Sequence, residues 1–157
     1  MIVHTDGSCY HGDKRMGVGI AFFEDDSYTP FMKDAITILG RGTSNEAEYH
    51  AIIQALMIIL TSFDTQQECI TINSDSQIVI MQITGEWECR NEGLKPLLKE
   101  ALRLYSCIDI PRVLFGWVPR EDIRQKQVDV LSKIANPYFS EKPVKLRTRK
   151  PNKIKKI

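Results

Sequence analysis

The chain has 157 residues, of which 43% are hydrophobic and 26% charged, with a net charge of +1. That length suits one domain around one core and not two; no run of eighteen apolar residues marks a helical membrane span, and Met1-Ile2-Val3-His4-Thr5-Asp6 does not read as a secretory leader. Cys9, Cys69, Cys89 and Cys107 are scattered with no C-x-x-C pair, which argues against a zinc site and, without a leader, for reduced thiols in a cytoplasmic protein.

In chain order, β-branched and aromatic residues predict strands at Ile2 to Tyr10 and Met16 to Glu24, joined around His11-Gly12-Asp13. In the second, Gly17, Gly19 and Ala21 alternate with Met16, Val18, Ile20 and Phe22, so one face is bulky and the other is bare enough for a helix or backbone to pack closely. A third strand follows at about Phe31 to Leu39, ended by Gly40. From Ser44 to Leu60 the period becomes helical, with Ile52, Ala55, Leu56 and Ile59 on one stripe. Cys69 to Ser74 reads as a buried strand and Ser76 to Ile83 as a short helix. A longer helix spans about Leu94 to Ser106, with Leu94, Leu97, Leu98, Ala101, Leu102 and Tyr105 facing inward. Pro111 opens a strand from Arg112 to Val118, and a last helix covers about Ile123 to Ala135, stopped by Pro137. This order implies a mixed α/β fold, part antiparallel and part parallel, with helices on the faces of one sheet.

The small net charge hides an asymmetry. Residues 142 to 157 carry eight basic side chains and no acid, so the first 141 sum to −7. We expect a folded domain over 1–138 and a basic, flexible tail over 139–157, which either contacts a polyanion or serves solubility.

Four carboxylates stand at element edges inside polar interruptions of apolar sequence: Asp6, Glu48, Asp75 and Asp129. Asp is depleted in strands, so Asp6 either caps the turn at Gly7-Ser8 or serves chemistry. Asn45 and Glu48 have capping-box spacing, as do Thr43 and Glu46. Glu48, however, lies in line with Ile52, Ala55 and Ile59, whereas Glu46 shares a side with His50 and Gln54. A carboxylate on the buried stripe is costly unless paired or bound to a cation, so Glu48 is assigned to chemistry and Glu46 to the surface. Asp75 sits between a strand and a helix, where the helix dipole alone could explain it, and where sites also gather in open sheets. Asp129 is flanked by Val128, Val130 and Leu131, which predicts an inward side chain. Four clustered carboxylates repel until protons or cations enter. Oxygen-only ligands select a hard ion such as Mg²⁺ or Mn²⁺, and two such ions can hold both sides of a phosphodiester displacement.

Asp6-Gly7-Ser8 on the first strand, Thr43-Ser44-Asn45-Glu46-Ala47-Glu48-Tyr49 at the first helix, Ser74-Asp75-Ser76-Gln77 and Trp117-Val118-Pro119-Arg120-Glu121 before the helix with Asp129 together resemble ribonuclease H, type 1, over about residues 1 to 136. The resemblance implies a five-stranded mixed sheet and an enzyme that cleaves the RNA strand of RNA–DNA hybrids endonucleolytically, leaving 5′-phosphate and 3′-hydroxyl ends. It implies that Asp6 bridges two Mg²⁺ ions, Glu48 and Asp75 complete one shell and Asp129 the other, with Mn²⁺ an alternative metal. It further implies that Asn45 reads the minor groove, where RNA and DNA differ, that Arg41 and Thr43 hold a DNA-strand phosphate, and that Ser44 and Gln77 join the substrate contacts. Trp87 either stacks on a sugar or closes the core under the short helix. The enzyme is expected to act as a monomer.

The chain departs from the family pattern in places. Ser44 replaces the first Asn of Thr-Asn-Asn, Gln125 stands where an Asn is usual, and the loop from Glu121 is about two residues longer. No His lies between residues 118 and 128, leaving Glu121 or Asp122 as stand-ins, and the basic protrusion of some bacterial members is missing. Of the remaining histidines, His4 reads as a satisfied core residue, and His11 and His50 as exposed. Rival readings are a hybrid- or duplex-RNA-binding module on the same fold and another nuclease of that fold.

Overall fold

The computed structural model of the protein describes residues 1–63 and 69–140. Its elements are β1 (Ile2–Cys9), β2 (Arg15–Phe23), β3 (Met32–Arg41), α1 (Ser44–Ser62), β4 (Ile70–Ser74), α2 (Gln77–Ile83), α3 (Lys95–Ser106), β5 (Val113–Trp117), α4 (Ile123–Ala135) and a short α5 (Pro137–Ser140). The strands form one sheet in the order β3-β2-β1-β4-β5. β1, β2 and β3 pair antiparallel, whereas β4 and β5 continue the sheet in parallel from β1. The expected mixed five-stranded architecture is therefore present.

The main core fills the face covered by α1, α2 and α3. Val3, Ile20 and Phe22 from the sheet meet Ile52, Ala55, Leu56 and Ile59 of the predicted α1 stripe, all buried. Each such large side chain contributes about 1.5–3 kcal/mol. Among the described residues, the opposite face is covered chiefly by α4, over a small apolar cluster of Ala21, Phe23 and Val128. There the bare side of β2 has its use: a Cβ at position 17 would lie 2.4 Å from the Asn136 backbone nitrogen, and one at position 19 would lie 2.2 Å from the Val128 carbonyl oxygen. Arg124 fastens the start of α4 to the β2–β3 loop by donating to the carbonyls of Ser27 and Asp25.

Several sequence expectations shift. β3 continues through Gly40 to Arg41, because Leu39 and Gly40 form a bulge between the pairs Met16–Ile38 and Arg15–Arg41, with Gly40 at a φ of 93°. On α3, Leu104 is buried while Leu102 and Tyr105 are largely exposed, since α3 lies against α1 at the rim of the core. His50 is half-buried rather than exposed. The folded part also extends past residue 138. Pro137 opens α5 instead of merely stopping α4, Tyr138 stacks on Tyr10, and Phe139 meets both rings edge-on. The remainder of the expected basic tail, 141–157, lies outside the described residues.

Candidate active site

Three chain segments converge at one end of β1 and β4. Asp6 lies within β1, opposite Gly19 of β2. Asp75 follows the last residue of β4, and Glu48 projects from the second turn of α1. Gly7 permits the approach of α1 to β1, for a Cβ there would lie 2.2 Å from the Ala47 carbonyl carbon. The Gly7 backbone N–H in turn donates to the Glu48 carboxylate. Of the two pairs with capping-box spacing, Thr43 and Glu46 form the box, with Thr43 N–H donating to Glu46 Oε2 at 2.8 Å and Glu46 N–H to Thr43 Oγ1 at 3.2 Å. It fixes the start of α1 and leaves Glu48 on the buried stripe, as the helical period required.

Asp6, Glu48 and Asp75 each offer an oxygen within 4.8 Å of the others. Asp6 and Glu48 are only 5% and 8% exposed, and this burial has a clear electrostatic consequence. Burial first, then the charges of Asp75 and Asp129, push the Asp6 carboxyl up to about 6, against a donated hydrogen bond from Ser132 and the Arg120 charge, which pull it down. Burial, followed by the charges of Asp6 and Asp75, raises Glu48 well above its ordinary range, while hydrogen bonds from Gly7 and Ser74 oppose the rise. The Ser74 hydroxyl lies 3.4 Å from Glu48 Oε2. The cluster thus holds more negative charge than its surroundings neutralise, which is the condition a hard divalent cation relieves.

Asp129 stands apart from this group. Its side chain is 35% exposed and ion-paired with Lys133 at 2.6 Å. The expectation that apolar neighbours turn it inward fails because successive helical residues point about 100° apart: Val128 is buried, while Val130 is 55% exposed. Asp129 nevertheless borders the site. Its charge raises Asp6, and its backbone carbonyl oxygen lies 3.0 Å from the Ser132 hydroxyl oxygen, whose one proton is donated to Asp6.

The other candidates lie around the rim. Arg41 and Thr43 line a cleft of about 490 Å³ with Gly12, Asp13, Lys14, Gly42 and Glu46. Asn45 and Ser44 line an adjoining cleft with Cys9 and His11. Gln77 is exposed on the first turn of α2. Trp87, 45% exposed after α2, does not close the core. Of the two stand-ins for the missing loop His, Asp122 is occupied as the cap of α4, accepting from the Arg124 and Gln125 N–H groups, whereas Glu121 is exposed.

Sequence reasoning missed four participants. Arg120 reaches Asp75 Oδ2 with its Nε at 3.0 Å from an exposed position. The Trp117 indole N–H donates to the Asp75 carbonyl at 3.1 Å. Ser132 contacts Asp6, and Gln125, fully buried, bonds to His4, Thr5 and Asp75. Gln125 stood out in the sequence as a replacement for a usual Asn, and Trp117 and Arg120 as part of the motif before α4 but with no role assigned, whereas Ser132 left no trace. His4 is a satisfied core histidine as expected, and burial holds its pKa below the ordinary value.

Comparison with known proteins agrees with this architecture. The sequence profile of the reverse transcriptase-like family matches residues 4–135. EbsB of Enterococcus faecalis is 28% identical over 137 residues, covering 87% of this chain and 94% of its own length. The bifunctional protein Rv2228c of Mycobacterium tuberculosis is 27% identical over 120 residues, which is 76% of this chain but only 31% of that protein. The solved ribonuclease H domain of Rv2228c superposes with a TM-score of 0.74 at 26% identity, covering 89% of this chain and 95% of the solved one. Ribonuclease H1 of Halobacterium salinarum gives 0.73 at 28% identity, covering 85% and 95%. The chain belongs to the reverse transcriptase-like family and has the fold of type 1 ribonuclease H.

Proposed function

We propose that the protein is an endoribonuclease that hydrolyses the RNA strand of RNA–DNA hybrids, leaving 5′-phosphate and 3′-hydroxyl ends. The observation that carries this reading is the meeting of Asp6, Glu48 and Asp75 within 4.8 Å, two of them buried and raised in pKa. Likeness to solved ribonuclease H domains supports it. The donor set fits hard divalent cations, Mg²⁺ or Mn²⁺, because it is all carboxylate oxygen with no His or Cys among the ligands. Bound cations would supply Lewis acidity for attack of water on the phosphorus and for departure of the 3′ oxygen.

The chain's own residues would do the rest. Asp6, Glu48 and Asp75 would hold one cation, and Asp129, once free of Lys133, would help Asp6 hold a second. Ser132 keeps the buried Asp6 oriented by its hydrogen bond. Asn45 and Ser44 contact base edges or 2′-hydroxyls in the minor groove, and Arg41 and Thr43 hold a DNA-strand phosphate. Gln77 and Trp87 extend the contact beyond α2, Trp87 by stacking its exposed ring on a sugar. The eight positive charges of residues 142–157 anchor further phosphates without reading sequence.

A labelled hybrid incubated with Mg²⁺, beside single-stranded RNA, duplex RNA and duplex DNA, tests the reading. Cleavage of the RNA strand in the hybrid alone, with products that ligate through 5′-phosphates, is expected. A hybrid that binds but stays intact with Mg²⁺ or Mn²⁺ would overturn it in favour of a binding module. Removing residues 142–157 is expected to weaken hybrid binding and flatten its salt dependence.

A further inference from the structure

Asp75 is the least constrained of the three clustered acids. Asp6 is fixed by the β1 ladder and Glu48 by α1, whereas Asp75 occupies the bend between β4 and α2, and α2 has no side-chain cap. Its carboxylate is held on two sides. Arg120 holds Oδ2 from solvent with its own side chain 79% exposed, an arrangement worth little by itself. On the inner side stands a buried chain of polar groups. Gln125 Nε2 lies 3.4 Å from Asp75 Oδ1 and 2.9 Å from the Thr5 carbonyl oxygen, Gln125 Oε1 lies 3.0 Å from His4 Nδ1, and His4 Nε2 lies 3.3 Å from Asn73 Nδ2.

One backbone group sets the direction of every bond in that chain. The Thr5 carbonyl can only accept, so Gln125 must present its amide NH₂ there and to Asp75. Its oxygen then faces His4, and Nδ1 must carry the imidazole proton. Nε2 is left bare and accepts from the Asn73 amide. The fold makes room for this row across the sheet: His4 pairs with Ala21 and Asn73, and Asn73 pairs with Gly116. A Cβ at position 116 would lie 2.4 Å from Asn73 Oδ1, and the His4 ring meets Phe23 edge-on at 5.7 Å.

We propose that His4 and Gln125 are a positioning pair that locks the Asp75 carboxylate, from beneath the site, in the orientation that binds a divalent cation. The proposal rests on the reading that Asp6, Glu48 and Asp75 hold such a cation. The Thr5 carbonyl fixes which way the Gln125 amide points, the His4 Nδ1–H anchors the amide oxygen from behind, and the amide N–H holds Asp75. Partners one step behind a ligand typically change cation affinity 10- to 100-fold when removed.

The test is Mn²⁺ binding by calorimetry on the full chain, with thermal unfolding measured in the absence of cation. Three variants are compared with the unaltered protein: Gln125→Leu, His4→Phe, which keeps a ring against Phe23, and Val128→Ala, which loosens the same α4 face without touching the polar chain. Gln125→Leu and His4→Phe are expected to weaken Mn²⁺ binding by about tenfold, and hybrid cleavage at low Mn²⁺ should recover when Mn²⁺ is raised. Val128→Ala is expected to lower the unfolding temperature and leave Mn²⁺ affinity unchanged. Unaltered affinity in His4→Phe, or an equal loss in Val128→Ala, overturns the positioning pair alone. Failure of the unaltered protein to bind Mn²⁺ overturns the cation site itself and the pair with it.

Discussion

The two faces of the sheet divide the work of this molecule. Under α1 and α3 the interior is almost wholly apolar, with Ile20, Phe22, Ile52, Leu56, Ile59 and Ile72 buried together. Under α4 the buried set is mainly polar: among the described residues His4, Asp6, Gln125, Ser132 and Asn136 share that space with Ala21, Phe23, Val128 and Ala135. Asn136 shows the difference in kind, since its side-chain amide donates to the carbonyls of Ser8 and Arg15 and so ties the end of α4 to the β1–β2 hairpin. The first face contributes most of the hydrophobic stabilisation. The second holds charges and amides in fixed directions, at a cost in desolvation that the first must offset.

The sharpest way to break the comparison is Asp6→Asn. It should abolish hybrid cleavage by more than the roughly 100-fold that loss of an outer-shell partner costs, while the cation-free protein unfolds at an equal or higher temperature because a poorly solvated acid is gone. Retained cleavage would refute the role assigned to Asp6. Leu56→Ala should do the reverse. Removing that fully buried side chain from the apolar face is expected to cost about 2–5 kcal/mol in denaturant unfolding, with cleavage per folded molecule preserved.

Proton linkage sharpens the contrast further. Folding raises Asp6 from its ordinary value of 3.8 to about 6 and raises Glu48 as well, so between those values the folded state binds more protons than the unfolded one. Cation-free stability contributed by Asp6 is therefore fully present below about pH 4 and lost as pH rises through about 6, and the raised Glu48 adds a loss of the same sign, with a slope of at most about 1.4 kcal/mol per pH unit for each extra proton the folded state holds. Thermal unfolding across pH 4 to 8 should display this decline, and saturating Mg²⁺ should flatten it by favouring the ionised forms. Cleavage should follow the opposite slope and rise through the same window. The smallest expected effect is that of Asp122→Ala, which removes the cap of α4 and should cost about 0.5–2 kcal/mol, measured by urea unfolding.

Local rules made much of this legible in the sequence. The α1 stripe, the Thr43–Glu46 capping box, the bare face of β2 and the bounds of α4 follow from side-chain period and cap chemistry, which depend on near neighbours alone. The same logic separated buried Glu48 from Glu46. It failed at Asp129, where apolar flanks suggested an inward side chain and the helix rotation placed Val130 in solvent. Leu102 and Tyr105 failed likewise, because the inward side of α3 depends on where α1 lies.

By itself, then, the sequence determined the mixed α/β order of elements and nominated Asp6, Glu48 and Asp75, since each marks a break in a local pattern. Only the tertiary structure decided that these three meet, that Asp129 stands at the rim beside Lys133, that Arg120 and Gln125 reach Asp75, that Ser132 reaches Asp6, and that His4 meets Gln125. The reason is distance along the chain: His4 and Gln125 are separated by 121 residues, and a hydrogen bond between groups so remote leaves no periodic mark in either segment. It exists because β1 and α4 pack face to face, a consequence of the whole fold.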